Sequence, residues 1–269
     1  LRRQGWSRDS FAPGDRVAVS INPARTTRHQ DMGLLYAVEK DDVTLYSLSA
    51  RVVPPPDTRE FSPVEADSIE GLWQISGNPS IKLFSEPYSW RVTPKAEQAQ
   101  AVYDDLTMNP QIQCNARTSP WVMIFTGVHL IELGDETVSI RTEYDTVERT
   151  IHMNVASHDG AAVTHQGHSI GRWDGDALVV DTTHFADHRS GNARGIPSGS
   201  QKHLVERFEL NQDRLTMTYS YVLEDPEHLS EPVNGALQST HRTDVEFVPI
   251  PCDPDNAGRY AGESARRAP

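Results

Sequence analysis

Apolar and polar residues alternate in short runs along most of the chain, the pattern of half-buried strands rather than of helices. Three such runs come early, at 16–21, 33–38 and 43–48, with Lys40-Asp41-Asp42 as the polar turn between the last two. They predict a small N-terminal β domain over 1–50, in form the remaining part of a small barrel. The pattern breaks at 51–66, where four prolines remove backbone donors and favour extended geometry, so this stretch reads as a linker. From Trp121 onward strands and turns follow one another closely: 121–132, 137–144, 147–153, 203–210, 215–223 and 233–248. One helix interrupts them, with Thr93 as N-cap, Pro94 at the first helical position and an Ala/Glu/Gln-rich run to Asp105. The expectation is an all-β protein: a lipocalin-like antiparallel barrel over 67–256 carrying one helix, then a flexible tail at 257–269.

The segment 166–185 reads as a hairpin, because Asp174-Gly175 tolerates positive φ and β-branched and aromatic residues flank it. With Trp173 opposite Asp176, Arg172 faces Ala177, Ile170 faces Val179 and His168 faces Asp181 on one side of the sheet. The other side carries Ser169, Gly171, Trp173, Leu178, Val180 and Thr182. Alternation leaves open which side meets the core.

Composition narrows the partners. The 269 residues carry a formal charge of −13, with no basic stripe to neutralise phosphates, which argues against nucleic acid and anionic membranes. No apolar run approaches the length of a membrane span, and the opening Leu-Arg-Arg-Gln-Gly-Trp contains no signal-peptide core, as expected of a processed exported chain. The two cysteines, Cys114 and Cys252, lie in no metal-ligand spacing; they are either a long-range disulfide or two buried thiols.

Three constellations could carry chemistry. In 203–210, Glu206 shares an apolar stripe with Leu204 and Phe208, and a Gln212-Asp213 turn places it opposite Tyr219. Desolvation there would prepare it for acid/base work, whereas a buried pairing with Arg149, itself on an apolar face beside Ile151, would make it structural. The second constellation is His168 held by Asp181, a carboxylate-oriented imidazole suited to general-base work, with Arg172 along the strand and Tyr144 as a phenol donor. The third is the crowding of histidines: seven of the eleven lie between His152 and His203. No His-Glu-x-x-His or facial-triad spacing is present, so a solvated histidine-rich edge is expected, with no metal and no cofactor. Gly167-His168-Ser169-Ile170-Gly171 matches a nucleophile elbow, but a hairpin turn rather than a helix follows the serine.

The run Gly-His-Ser-Ile-Gly-Arg-Trp at 167–173, Gly-Asp-x-Leu-Val-Val-Asp-Thr-Thr at 175–183, Val205-Glu206-Arg207-Phe208, Cys114 and Cys252-Asp253-Pro254-Asp255-Asn256 together resemble a broad family of exported bacterial proteins of unknown function. The resemblance spans most of 67–256 and implies a periplasmic or secreted protein with a lipocalin-like barrel, often behind a small N-terminal β domain. Two departures bear on loop geometry: Cys114-Asn115-Ala116-Arg117-Thr118-Ser119-Pro120 replaces the family's Cys-x-Pro-x-Gly, and His184 stands where a glycine is usual.

The leading expectation is a cofactor-free acid/base enzyme of hydratase, dehydratase, isomerase or cyclase type, acting on a small, mostly apolar molecule in the barrel. His168, oriented by Asp181, is the expected base and Glu206 or Tyr144 the acid. Arg149 or Arg172 would stabilise developing negative charge, and Tyr219 and Trp173 complete the substrate-binding set. The alternatives are a binding protein for a small hydrophobic ligand, and a hydrolase using Ser169. An enzyme of the first kind requires His168 and Glu206 to converge on one cavity.

Overall fold

The computed structural model describes residues 10–23, 33–41, 43–47, 64–76, 90–105, 107–124, 127–254 and 257. Most of the linker expected at 51–66 and nearly all of the tail expected at 257–269 lie outside them. Backbone contacts divide the chain into two units, Leu1–Ser62 and Pro63–Pro269.

The first unit contains an antiparallel sheet of β1 (Val17–Pro23), β2 (Gly33–Lys40) and β3 (Val43–Ser47), in that order. A register shift between Ser20 and Ile21 marks a bulge in β1. Lys40 reaches the Asp15 carboxylate at 2.6 Å and ties the sheet to the turn before β1.

The second unit is a closed barrel. Its strands are β4 (Gly71–Ile75), β5 (Val128–Leu133), β6 (Thr137–Thr142), β7 (Glu148–His152), β8 (His168–Asp174) and β9 (Ala177–Thr183). A two-stranded ribbon, β10 (His188–Ala193) with β11 (Ile196–Ser198), intervenes before β12 (His203–Leu210), β13 (Thr216–Glu224) and β14 (Val233–His241) complete the wall. The order around the barrel is β12-β13-β14-β4-β5-β6-β7-β8-β9. A ring with an odd number of strands cannot alternate direction throughout, so one seam must be parallel. That seam is β7/β8, where Ile151 pairs with Ser169 and His152 with Ile170. Its consequence is the 153–167 crossover, which must return along the barrel before β8 can start.

Alternation sets the core. Trp73, Ile131, Ile140, Ile151, Leu178, Leu204, Phe208 and Leu223 point inward and are buried. Short turns close one end, while the connections 76–127, 184–202 and 225–232 all leave from the other. There helix α1 (Pro94–Val102), capped by the Thr93 hydroxyl, accompanies a 3₁₀ turn, Trp121–Ile124, whose four side chains are all buried. Cys114 and Cys252 are joined by a disulfide that ties this region to the C-terminal segment.

The 166–185 hairpin is present with its turn one residue later than expected. Asp174 pairs with Ala177, so Gly175-Asp176 is the loop and Gly175 alone takes a positive φ, 62°, as the first position of a II′ turn requires. His168 therefore pairs with Thr183, and Ile170 rather than His168 lies opposite Asp181. Glu206 likewise pairs with Tyr221, not Tyr219. Each of these shifts preserves parity, so every side chain stays on its expected face.

Candidate functional site

Inward-facing positions on five adjacent strands place a polar group in the middle of the lumen. Glu206 and Arg149 are 0 % and 2 % exposed and meet as a two-pronged pair, Nη2 to Oε2 at 2.5 Å and Nη1 to Oε1 at 3.0 Å. The Tyr219 hydroxyl donates to Glu206 Oε1 at 2.8 Å, reaching it diagonally across the β12/β13 pair. Ser169 and Thr182 hydroxyls lie 3.4 Å from Arg149 Nη2 and 2.9 Å from each other. Burial alone would lower the Arg149 pKa, but the facing Glu206 charge and its hydrogen bonds hold it above the ordinary value. Burial, reinforced by the Glu206 charge, pushes the Tyr219 phenol well above its usual range.

Beside this group lies a cavity about the size of one water molecule. Trp73, Met123, His129, Met217, Tyr219 and Leu237 are among its walls. Tyr219 belongs to both features, so the polar cluster forms one end of a chamber that is otherwise largely apolar and aromatic.

His168 and Asp181 lie on the outer face of the barrel. Strand pairing keeps inward and outward sets apart, so the four residues expected to act together do not converge. Glu206 is sealed by Arg149 and Tyr219 inside, while His168 sits outside under the crossover. His158, from that crossover, takes the position expected for His168: its Nε2 lies 3.1 Å from Asp181 Oδ1, and its Nδ1 lies 2.8 Å from His168 Nδ1. His203 Nε2 meets the other Asp181 oxygen at 3.1 Å. Burial, with the neighbouring His158, His152 and His184, keeps the His168 pKa below its ordinary value.

Tyr144 is separate from both groups. It follows β6, pairs with Ile250 and stacks under the Arg117 guanidinium at 5.4 Å. Arg172 is exposed on the outer face, and Trp173, although on the inward parity, is 46 % exposed at the hairpin tip. Of the expected substrate-binding residues, Arg149 and Tyr219 are in the lumen, and Arg172 and Trp173 are not. Ser169 is buried within β8, with Thr182 and Arg149 as its hydrogen-bond partners, so the Gly-x-Ser-x-Gly match is a strand segment and not an elbow.

A second buried polar group lies where the long connections meet. Lys202 is 1 % exposed; its ammonium donates to Thr118 Oγ1 at 2.9 Å and Gly191 O at 2.7 Å and sits 4.5 Å from the centre of the Phe185 ring. Burial brings its pKa down to about 7. Nearby His188 accepts from Ser190 N–H through Nδ1, and burial brings its pKa down to about 4. Nothing in the local sequence marks Lys202 as buried: a lysine among Gly, Ser and Gln reads as surface.

No protein-family model matches the chain, and no curated protein is similar to it. Among solved structures it is similar to a "REP1-NXSQ fatty acid transporter", at 15% sequence identity and a TM-score of 0.32 over 66% of this chain and 98% of that one.

Proposed function

We propose that the chain is a binding protein for a small, neutral, mostly apolar molecule held in the barrel lumen. The observation that carries this reading is the largely apolar chamber walled by Trp73, Met123, Met217 and Leu237, with hydrogen-bonding groups only at Tyr219, His129 and Ser239 among its lining residues. Unbranched methionine side chains fill irregular space and re-pack readily, so Met123 and Met217 are the residues expected to yield when a ligand larger than water enters. The head group follows from charge. Glu206 and Arg149 already neutralise each other, and a ligand carboxylate or ammonium would enter as a buried charge without a counter-ion. Because the Tyr219 O–H is committed to Glu206, its oxygen is left as an acceptor, which fits a ligand hydroxyl.

The Cys114–Cys252 disulfide supports an oxidising compartment, in keeping with the exported family that the hairpin motif resembles.

Calorimetric titration with 1-decanol, decanoate and decylamine tests the reading. The expected result is saturable one-site binding of the alcohol and at least tenfold weaker binding of both charged analogues, with Leu237→Trp losing the alcohol as well. Equal affinity for all three, or for both proteins, would contradict it.

A further inference from the structure

We propose that the 153–167 crossover is an acid-released strap, clasped to the outer face of the barrel by the His158–His168 pair and let go when both imidazoles of that pair are protonated. One side chain fastens the strap in its middle. Between Asn154 and Thr164 every residue is exposed except His158 and Ala161, with Val155 and Val163 open to solvent. Backbone hydrogen bonds to the wall hold the two ends: Met153 N–H to Glu136 O at 2.8 Å, and Thr164 N–H to His184 O at 3.0 Å. Between them the Ala161 N–H bonds within the strap, to His158 O at 3.0 Å. His158 is therefore the clasp. Its Nδ1 lies 2.8 Å from His168 Nδ1 on β8, and its Nε2 lies 3.1 Å from Asp181 Oδ1 on β9. The strap also joins the two strands of the parallel seam, which rests on two residue pairs.

The clasp has room for one added proton and not for two. A carboxylate only accepts, so His158 Nε2 carries the hydrogen that faces Asp181. In the neutral pair His168 Nδ1–H then donates to the His158 Nδ1 lone pair. A first added proton goes to the remaining lone pair, at His168 Nε2, and leaves that bond intact. A second puts a hydrogen on both Nδ1 atoms, donor against donor and cation against cation, at a separation of 2.8 Å. The surroundings oppose it further. His152 from β7 stacks on His168 with ring centres 5.0 Å apart, and His184, just after β9, lies 6.0 Å from His158 and 6.5 Å from His168. Asp181 supplies the adjacent negative charge, but His203 from β12 takes its second oxygen at 3.1 Å, with Glu224 from β13 beyond, 3.3 Å from His203. On the strap itself Asp159 is exposed, and His165 is held elsewhere, 2.6 Å from Ala116 O. Burial, with the neighbouring imidazoles of His158, His152 and His184, keeps the His168 pKa below its ordinary value. The released form therefore takes up the proton more readily, so the strap is held above about pH 6.5 and loses its hold as pH falls below that.

The test is ¹⁵N backbone relaxation on the full, disulfide-intact chain at about pH 7.5 and about pH 5, either side of the ordinary histidine range. The strap predicts order parameters at 154–163 near the rigid value of about 0.85 at the higher pH and below about 0.6 at the lower, with β12 and β13 rigid at both. His158→Ala removes the clasp and should give the low values at both pH values. His168→Gln should give the high values at both, because its amide can either donate to His158 Nδ1 or accept from it. His188→Asn, a change at a buried imidazole outside the clasp, should switch like the parent. Order parameters at 154–163 that do not change with pH in the parent, that change equally in His168→Gln, or that fall only together with those of β12 and β13 would overturn the proposal.

Discussion

If Glu206 and Arg149 are a sealed structural pair, removing one partner should harm the fold far more than removing both. In Glu206→Gln the guanidinium stays buried at 2 % exposure, facing an amide in place of its counter-charge. Breaking a pair of this kind costs about 3–5 kcal/mol, because the remaining charge stays desolvated, whereas replacing both partners with apolar groups is often close to neutral. For a domain of this size, about 2–4 °C of Tm is lost per kcal/mol, so the single variant should melt roughly 10 °C or more below the parent. The double variant Glu206→Leu/Arg149→Met removes both charges and should recover most of that loss. It still leaves the Tyr219 hydroxyl without its carboxylate partner, at about 1 kcal/mol, while the Ser169 and Thr182 hydroxyls keep each other. Urea unfolding of parent, both singles and the double gives the coupling directly. Single costs below about 1 kcal/mol that simply add in the double would refute a sealed pair and reopen Glu206 as a solvated, reactive carboxylate.

Two further predictions concern pH and one concerns redox state. His188 has a folded pKa near 4 against an ordinary 6.5, so the unfolded chain binds its proton first. Stability should therefore fall as pH drops from about 6.5 to 4, by up to roughly 3 kcal/mol, and His188→Asn should flatten that part of the curve. Lys202 is also held low, at about 7 against 10.5, so its burial penalty is full below pH 7 and fades toward pH 10.5. The parent should gain on Lys202→Met across that window by an amount on the order of a few kcal/mol, read from denaturant midpoints at pH 7 and 10; a constant difference would contradict the buried ammonium. The Cys114–Cys252 disulfide spans a sequence separation of 138, and opening it by Cys114→Ser/Cys252→Ser should cost about 5 kcal/mol on chain entropy. Equal melting of the oxidised parent and the double serine variant would deny that contribution.

How far this was legible in the sequence depends on the range of the signal. Alternation grouped residues onto shared faces because facing depends only on parity: Glu206, Tyr219 and Arg149 stand on the apolar, inward faces of their strands, and His168 and Asp181 share one side of the hairpin, opposite Ser169. Register was less legible, since Asp174-Gly175 and Gly175-Asp176 are both plausible loops and the choice moves every pair by one residue on each strand. Which side of the hairpin faces the core follows from the neighbouring strands, because Ser169 and Thr182 complete an interior already occupied by Arg149 and Glu206. The parallel seam was invisible, because it follows from the count of strands in a closed ring. With it went the crossover that brings His158, rather than His168, against Asp181. Tyr144 read as adjacent to the site, but Asp145 and Thr146 take positive φ and turn the chain away after β6.

The central claim is that the lumen, and not the outer histidine face, holds the ligand. Of the described methionines, Met123 and Met217 are in the chamber wall and Met108 and Met153 are not, so the methyl resonances of ¹³C-methionine-labelled protein report directly on the lumen. Titration with 1-decanol should shift the Met123 and Met217 signals saturably and together, leaving Met108 in place. Shifts confined to other methyls, or no saturable shift at Met123 and Met217, would contradict a lumen site.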